Sequence, residues 1–239
     1  MAKAIIFDKD GTLQDSEKIN IESSVIAFKE IGIELNTEEK EMIAGRRSSD
    51  FLIEIAKNHK FDMEKIRKNI REKYYELYQE TELIQEAIEL LKNCYNAGFK
   101  IALCTSGGDT SVEMWLKKHD FKKYFDAIVT GDMVIRRKPE PDPYLLAAEK
   151  LGVQPRECVA IEDSHFGVES AYRAGMKVIA IPGIHSKHHE FKNATIILEN
   201  ATNITIEELK QMWKLKIDLP QPKYWTAEIF KYKQQCKIK

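Results

Sequence analysis

Four consecutive apolar residues, Ala4-Ile5-Ile6-Phe7, run directly into Asp8-Lys9-Asp10-Gly11-Thr12-Leu13-Gln14-Asp15. A run that is apolar on both alternations and holds two β-branched residues reads as a strand covered on both faces, and strands of that kind lie inside parallel sheets. Asp8 and Asp10 then fall where the sheet ends. Two apart on an extended backbone, they point to the same side, with Lys9 directed away. Gly11 permits a sharp turn after them. Two acids aimed into one crevice repel unless a cation or a shared proton relieves them. An aspartate so placed can act as a nucleophile and form an aspartyl-phosphate, with a second carboxyl nearby as acid and base. Taken alone, Asp-x-Asp-Gly is more often a tight turn after a strand, or part of a calcium loop. What stands at the other strand ends decides between these.

From Ser16 to about residue 79 the apolar spacing is helical. Ser16 is placed to cap a helix that stops at Gly32, and further helices are expected over 37–44, 48–57 and 62–79. The pattern then alternates: helix 82–97, strand 100–104, helix 110–119, strand 127–130, a helix opened by Asp142-Pro143, strand 158–161, helix 164–174, strand 177–181 and a short strand 195–198. Such alternation implies an α/β fold with a doubly wound, Rossmann-like parallel sheet and an inserted all-α helical cap. The expected division is 1–15 and 82–215 as the α/β core, 16–81 as the cap and 216–239 as a C-terminal extension. Right-handed crossovers bring every strand's carboxyl end to one edge, where ligands of such sheets bind.

At that edge the second strand is followed by Thr105-Ser106-Gly107-Gly108, a hydroxyl and free backbone N–H groups suited to phosphate oxygens. The third is followed by Arg136-Arg137-Lys138-Pro139, in which Lys138 is a fixed cation for a phosphoryl group or for an aspartate. Glu162 and Asp163 follow the fourth, and an oxygen cluster of Asp8, Asp163 and Glu162 suits octahedral magnesium. Each signal has a bland alternative: a loop, a solvated basic turn, a helix cap. Their occurrence in this order at successive strand ends favours the chemical reading.

With these motifs the chain resembles a haloacid dehalogenase superfamily phosphohydrolase, of the β-phosphoglucomutase and phosphoglycolate phosphatase-like subfamily. DKDGTL at 8–13 matches the first motif, Thr105-Ser106 the second, Lys138-Pro139 the third and Glu162-Asp163-Ser164 the fourth, while IEDSHFGVESA at 161–171 fits the subfamily. The resemblance covers about residues 3–200. It implies Asp8 as nucleophile, Asp10 as acid and base, and Thr105, Ser106 and Lys138 as the phosphate grip. It also implies Mg2+ held by the Asp8 carboxylate, the Asp10 main-chain carbonyl and Asp163, with Glu162 assisting through water. The family's dehalogenases lack the second acid, so Asp10 favours phosphate esters. The helical insert resembles the family's cap, a lid able to close over the sheet edge. Within it, Gly45-Arg46-Arg47 either contacts a second phosphate or carboxylate of the substrate or is a solvated turn. The arginines do not sit where the mutase's phosphate-gripping arginine falls, and Asn20 replaces a mutase-like histidine. A phosphatase acting on a small phosphorylated metabolite, a sugar or polyol phosphate, is therefore expected over a mutase. A non-catalytic binding protein on the same fold is the alternative of another class.

The remaining features are plainer. A formal net charge of −1 steers the chain neither to nucleic acid nor to a membrane. With no long apolar run and no signal-peptide core, a cytoplasmic protein is expected; a monomer is compatible with the sequence. Cys94, Cys104, Cys158 and Cys236 lack metal or redox spacing and read as reduced, structural thiols. His185, His188 and His189 read as a surface loop, and Tyr74, Tyr75 and Tyr78 as packing within the cap. The tail from Lys216 holds six lysines against Asp218 and Glu228; packing back on the core is expected over partner binding.

Overall fold

The computed structural model describes residues 3–43, 48–78, 81–183, 186 and 190–221. Gly45, Arg46 and Arg47, the histidines 185, 188 and 189, Cys236 and the tail from residue 222 lie outside the described residues. Strands form at β1 (Ala4–Phe7), β2 (Gln14–Asp15), β3 (Glu82–Leu83), β4 (Lys100–Cys104), β5 (Ala127–Val129), β6 (Cys158–Glu162), β7 (Lys177–Ala180) and β8 (Ile196–Ile197). Six of them make one sheet in the order β5-β4-β1-β6-β7-β8, with every pairing parallel. The chain winds outward from β1 to β4 and β5, then returns to the other side of β1 with β6. That reversal opens a crevice past the carboxyl end of β1.

Helices α1 (Glu17–Glu30), α2 (Thr37–Ile43), α3 (Ser48–Ile55) and α4 (Met63–Leu77) follow β2, and α5 (Gln85–Asn96), α6 (Asp109–His119), α7 (Asp142–Leu151), α8 (His165–Arg173) and α9 (Ile206–Met212) accompany the sheet. None of the described helices is long and apolar enough to cross a membrane. The pleat of β1 sorts its side chains between two cores. Ile5 and Phe7 join Leu91 of α5, Trp115 of α6 and Leu209 of α9 on one face. Ala4 and Ile6 join Ala102, Ala160 and Ala180 on the other, beneath Tyr144, Ala147 and Ala148 of α7 and Ala171 of α8. Small strand residues on that second face let α7 and α8 approach the sheet closely.

The helical insert has an apolar core of its own, with Phe28, Leu35, Phe51, Leu52, Ile55 and Ile66 buried and Phe28 and Phe61 edge-on at 5.1 Å. Asp62 caps α4, accepting from the N–H groups of Glu64 and Lys65. Its ends belong to the sheet: Ile19 and Tyr78 pack in the same cluster as Phe7. Tyr78 donates to Gln14 Oε1 and the Ser111 carbonyl, so the tyrosines at the end of α4 join insert to core and do not pack only within the insert. Local details differ from the sequence reading in three further places. β2 and β3 form an antiparallel pair at the root of the insert, too short to leave a pattern. Ser16 precedes α1 without capping it, because its hydroxyl is drawn to Asp10. Asp142, which before Pro143 has the composition of a helix cap, is already helical, and its carboxylate accepts from Arg136 Nε at 3.0 Å.

Ala160, in register with Ile6 and Val178 and fully buried, tests the close approach of α7 and α8. Ala160→Leu is expected to cost about 1–3 kcal/mol by overpacking, which thermal melting would read as a Tm several degrees lower. An unchanged Tm would contradict this packing.

Candidate active site

Asp8 follows β1, and its N–H donates to the Ile161 carbonyl, which fixes it between β1 and β6. Asp8 Oδ1 accepts from Lys138 Nζ at 2.6 Å. The same ammonium donates to the Cys104 carbonyl at 3.0 Å and to Glu162 Oε1 at 2.5 Å, so three strand ends converge on one cation. Glu162 is fully buried. Its Oε1 also accepts from the Tyr144 hydroxyl at 2.6 Å, and its Oε2 from the Ser164 hydroxyl at 3.1 Å. Gly167, one turn into α8, makes room for it: a Cβ there would lie 1.9 Å from the Glu162 carboxylate. Both Glu162 oxygens are thus engaged by protein donors. Burial lowers the Lys138 pKa, but Asp8 and Glu162 outweigh it and hold the ammonium well above its ordinary value.

Asp163 approaches from the other side. Gly11, at φ +85°, is the turn that admits it, since a Cβ at that position would fall 2.2 Å from Asp163 Oδ2. Here both the left-handed backbone and the missing side chain are required. Asp8, Glu162 and Asp163 each offer an oxygen within 4.8 Å of the others. Burial pushes the Asp8 carboxyl up to about 7, with Glu162 and Asp10 adding to the shift and Lys138 opposing it. Asp163 is raised well above its ordinary value, by burial and then by Asp8 and Glu162. An all-oxygen, anionic donor set opposed by a single ammonium fits a hard divalent cation.

Asp10 is 31% exposed at the crevice. Its Oδ1 accepts from Lys9 Nζ at 2.6 Å and Ser16 Oγ at 2.8 Å; its Oδ2 accepts from Thr105 Oγ1 at 3.2 Å. Burial raises its pKa, yet Lys9 and the hydrogen bonds from Lys9, Ser16 and Thr105 hold it below its ordinary value. Thr105 Oγ1 also accepts from the Gly107 N–H at 2.9 Å, shaping the 105–108 turn. Ser106 is exposed at its head. The turn is braced from behind, as Gly131 N–H donates to the Gly107 carbonyl and Asp132 accepts from the Asp109 N–H and from Arg137.

Structure therefore brings together Asp8, Lys138, Glu162 and Asp163, with Asp10 and Thr105 beside them. Lys9, Ser16 and Tyr144 were missed as parts of the site. Extending the strand through Asp10 pointed Lys9 away, whereas the Leu13 and Gln14 N–H groups close a turn on the Lys9 carbonyl. An ammonium between two acids was the available signal. For Tyr144, inside a helix, there was none. The described cysteines 94, 104 and 158 are free and buried, and burial pushes the Cys104 thiol up to about 12, so it is inert at neutral pH.

The carboxyl cluster gives stability a definite pH dependence. Asp8 is protonated more readily in the folded chain than in the unfolded one, so metal-free protein loses stability as pH rises from about 4 through about 7; Asp163 acts with the same sign. Asp10 acts oppositely, but below the ordinary carboxylate range, outside that window. Mg2+ is expected to raise Tm by at least roughly 2–4 °C more at pH 8 than at pH 5.5, the response to about 1 kcal/mol in a chain of this size. Asp163→Asn should abolish the difference. Equal increments at both pH values in the unaltered chain would contradict the cluster's role as a cation site.

A profile of the haloacid dehalogenase-like hydrolase family matches residues 5–181. Protein CbbY of Cereibacter sphaeroides is 30% identical over 213 residues, covering 84% of this chain and 93% of CbbY. A phosphorylated carbohydrates phosphatase of Thermotoga maritima is 33% identical over 204 residues, covering 82% of this chain and 90% of its own. Among solved structures, a variant of CbbY from Rhodobacter sphaeroides in complex with xylulose-(1,5)bisphosphate is similar with a TM-score of 0.73 and 29% identity, over 84% of this chain and 95% of that one. The family profile runs through Asp8, Thr105, Lys138 and Asp163, the residues that the sheet gathers at one edge, and the chain belongs to the haloacid dehalogenase-like hydrolases.

Proposed function

We propose that the chain is a Mg2+-dependent phosphatase that cleaves a small phosphate monoester, a sugar or polyol phosphate, through a phosphoaspartate at Asp8. The observation that carries this reading is the division of labour between two neighbouring acids. Asp8 is buried against Lys138, whereas Asp10 stands at the crevice, held by Lys9, Ser16 and Thr105. Mg2+, held by Asp8 and Asp163, would offset charge between the carboxylate nucleophile and the substrate phosphate. Lys138 orients Asp8 and supplies positive charge to the phosphoryl group. Glu162 serves chiefly to fix Lys138, since its oxygens are occupied by Lys138, Tyr144 and Ser164. Thr105 and Ser106, with the N–H groups of their turn, grip the phosphate oxygens.

Asp8 attacks phosphorus as the ester P–O bond breaks; Asp10, ionised in the free protein, takes up a proton as the phosphate dianion enters beside it and gives that proton to the departing alkoxide. Water then attacks the phosphoaspartate, losing a proton to Asp10 and restoring both carboxyl groups. The sugar class is supported by the names of the relatives, one a phosphorylated carbohydrates phosphatase and another solved with a sugar bisphosphate. The helical insert acts as the cap, joined to the core through the Tyr78 hydroxyl, which donates to Gln14 Oε1 and the Ser111 carbonyl.

A panel of sugar and polyol phosphates with Mg2+ should release inorganic phosphate. Asp8→Asn should lower kcat/KM by at least roughly a thousandfold, the scale on which loss of a covalent catalyst acts, with the fold retained by circular dichroism. No phosphate release, with isomerisation of glucose 1-phosphate in the presence of a bisphosphate primer, would overturn the phosphatase reading in favour of a mutase. Full activity in Asp8→Asn would remove Asp8 from the mechanism.

A further inference from the structure

Lys9 is fully buried, with 0% of its side chain exposed, yet the carboxylate it pairs with is 31% exposed. Removing an ammonium from water is costly, and a surface lysine could neutralise a partly exposed acid without that cost. Its burial also fixes where the charge stands. The Lys9 carbonyl accepts from the N–H groups of Leu13 and Gln14, so the side chain that reaches Asp10 springs from a locked turn. The contacts to Asp10 are unevenly divided. Oδ1 takes Lys9 at 2.6 Å, Ser16 at 2.8 Å and Gln14 Nε2 at 3.4 Å. Oδ2 takes only the Thr105 hydroxyl at 3.2 Å among the described hydrogen bonds. Oδ2 is also the oxygen turned toward the 105–108 loop, 3.6 Å from where a Cβ on Gly107 would stand.

We propose that Lys9 is a positioning residue for proton transfer: its buried ammonium anchors Asp10 by Oδ1, leaving Oδ2 to carry the proton on the side facing the phosphate loop. In the first step a proton taken up at Asp10 Oδ2 as the phosphate dianion enters passes to the leaving oxygen while the ester P–O bond breaks and the bond from the Asp8 carboxylate to phosphorus forms. In the second, water attacks phosphorus, the Asp8–phosphorus bond breaks to release phosphate and the free carboxylate, and the proton lost by the water returns to Oδ2. Lys9 exchanges no proton in either step. It fixes an angle that Ser16, a short hydroxyl, cannot hold alone. The inference rests on the phosphatase reading above.

The test uses leaving groups that do and do not need a proton. kcat/KM reports the steps up to loss of the leaving group and is measured for an alkyl phosphate found active in the panel and for p-nitrophenyl phosphate, whose phenolate departs unaided. Lys9→Met, close in volume, should lower kcat/KM for the alkyl ester at least roughly tenfold and for the aryl ester less than about threefold, since general acid catalysis is worth about 10²–10⁴ where it operates. In an Asp10→Asn background, Lys9→Met should produce no further loss, because residues that act through one another are not additive. Equal losses on both esters, or full additivity with Asp10→Asn, overturn the role. Should Lys9→Met fail to fold, Lys9→Gln takes its place, and failure of both to fold overturns positioning in favour of a purely structural lysine. A wild-type protein that cleaves no ester overturns the phosphatase reading itself, an outcome separate from either result on Lys9.

Discussion

One ammonium, that of Lys138, holds the sheet edge together. It is buried with Asp8 and Glu162 and capped by the Cys104 carbonyl, so it ties the ends of β1, β4 and β6 to the loop after β5. Charges so deeply placed are stable only when mutually satisfied, and nearly every neighbouring feature serves that need. Tyr144 and Ser164 complete the hydrogen bonds of Glu162. Gly167 removes the side chain that would collide with it. With Asp163 the cluster holds three acids against the one ammonium of Lys138, two more than it balances, a donor set that favours a divalent cation.

The fold makes this arrangement affordable by building it on rigid strands. β1 is covered on both sides, by large side chains on one face and over alanines on the other, and cannot shift without disturbing both cores. Functional groups on the turns after such strands inherit that rigidity. Asp10 sits one step further out, on a turn stapled by Lys9 and by the antiparallel β2–β3 pair, where α1 departs and α4 returns. The acid at the crevice thus lies at the root of the helical insert, and Gln14, which donates to Asp10 and accepts from Tyr78, connects the two.

Much of this was legible in the sequence. The doubly wound sheet followed from apolar runs alternating with helical spacing, and strand 100–104 matches β4 (Lys100–Cys104) to the residue. Asp8, Lys138 and Asp163 could be placed at one edge because parallel topology sends every strand's carboxyl end there. What could not be read depends on geometry without a local signature. Lys9 turns inward because the chain leaves the strand at Asp8, a change of direction invisible in the alternation of residues. Ser16 has the composition of a helix cap but is drawn to a carboxylate that the turn brings near. Tyr144 reaches Glu162 only because α7 lies close over the small residues of β1 and β4. The two-residue strands β2 and β3 have no period to detect.

Covalent catalysis by Asp8 requires that its carboxylate become phosphorylated during turnover. Protein mixed rapidly with Mg2+ and an active phosphate ester, quenched with borohydride and mapped by peptide mass spectrometry, tests it directly, because borohydride reduces an acyl phosphate to the alcohol. Conversion of Asp8 to homoserine, dependent on substrate, is the predicted result. Sustained phosphate release with Asp8 unmodified at every quench time, or homoserine at another acid in its place, would contradict it.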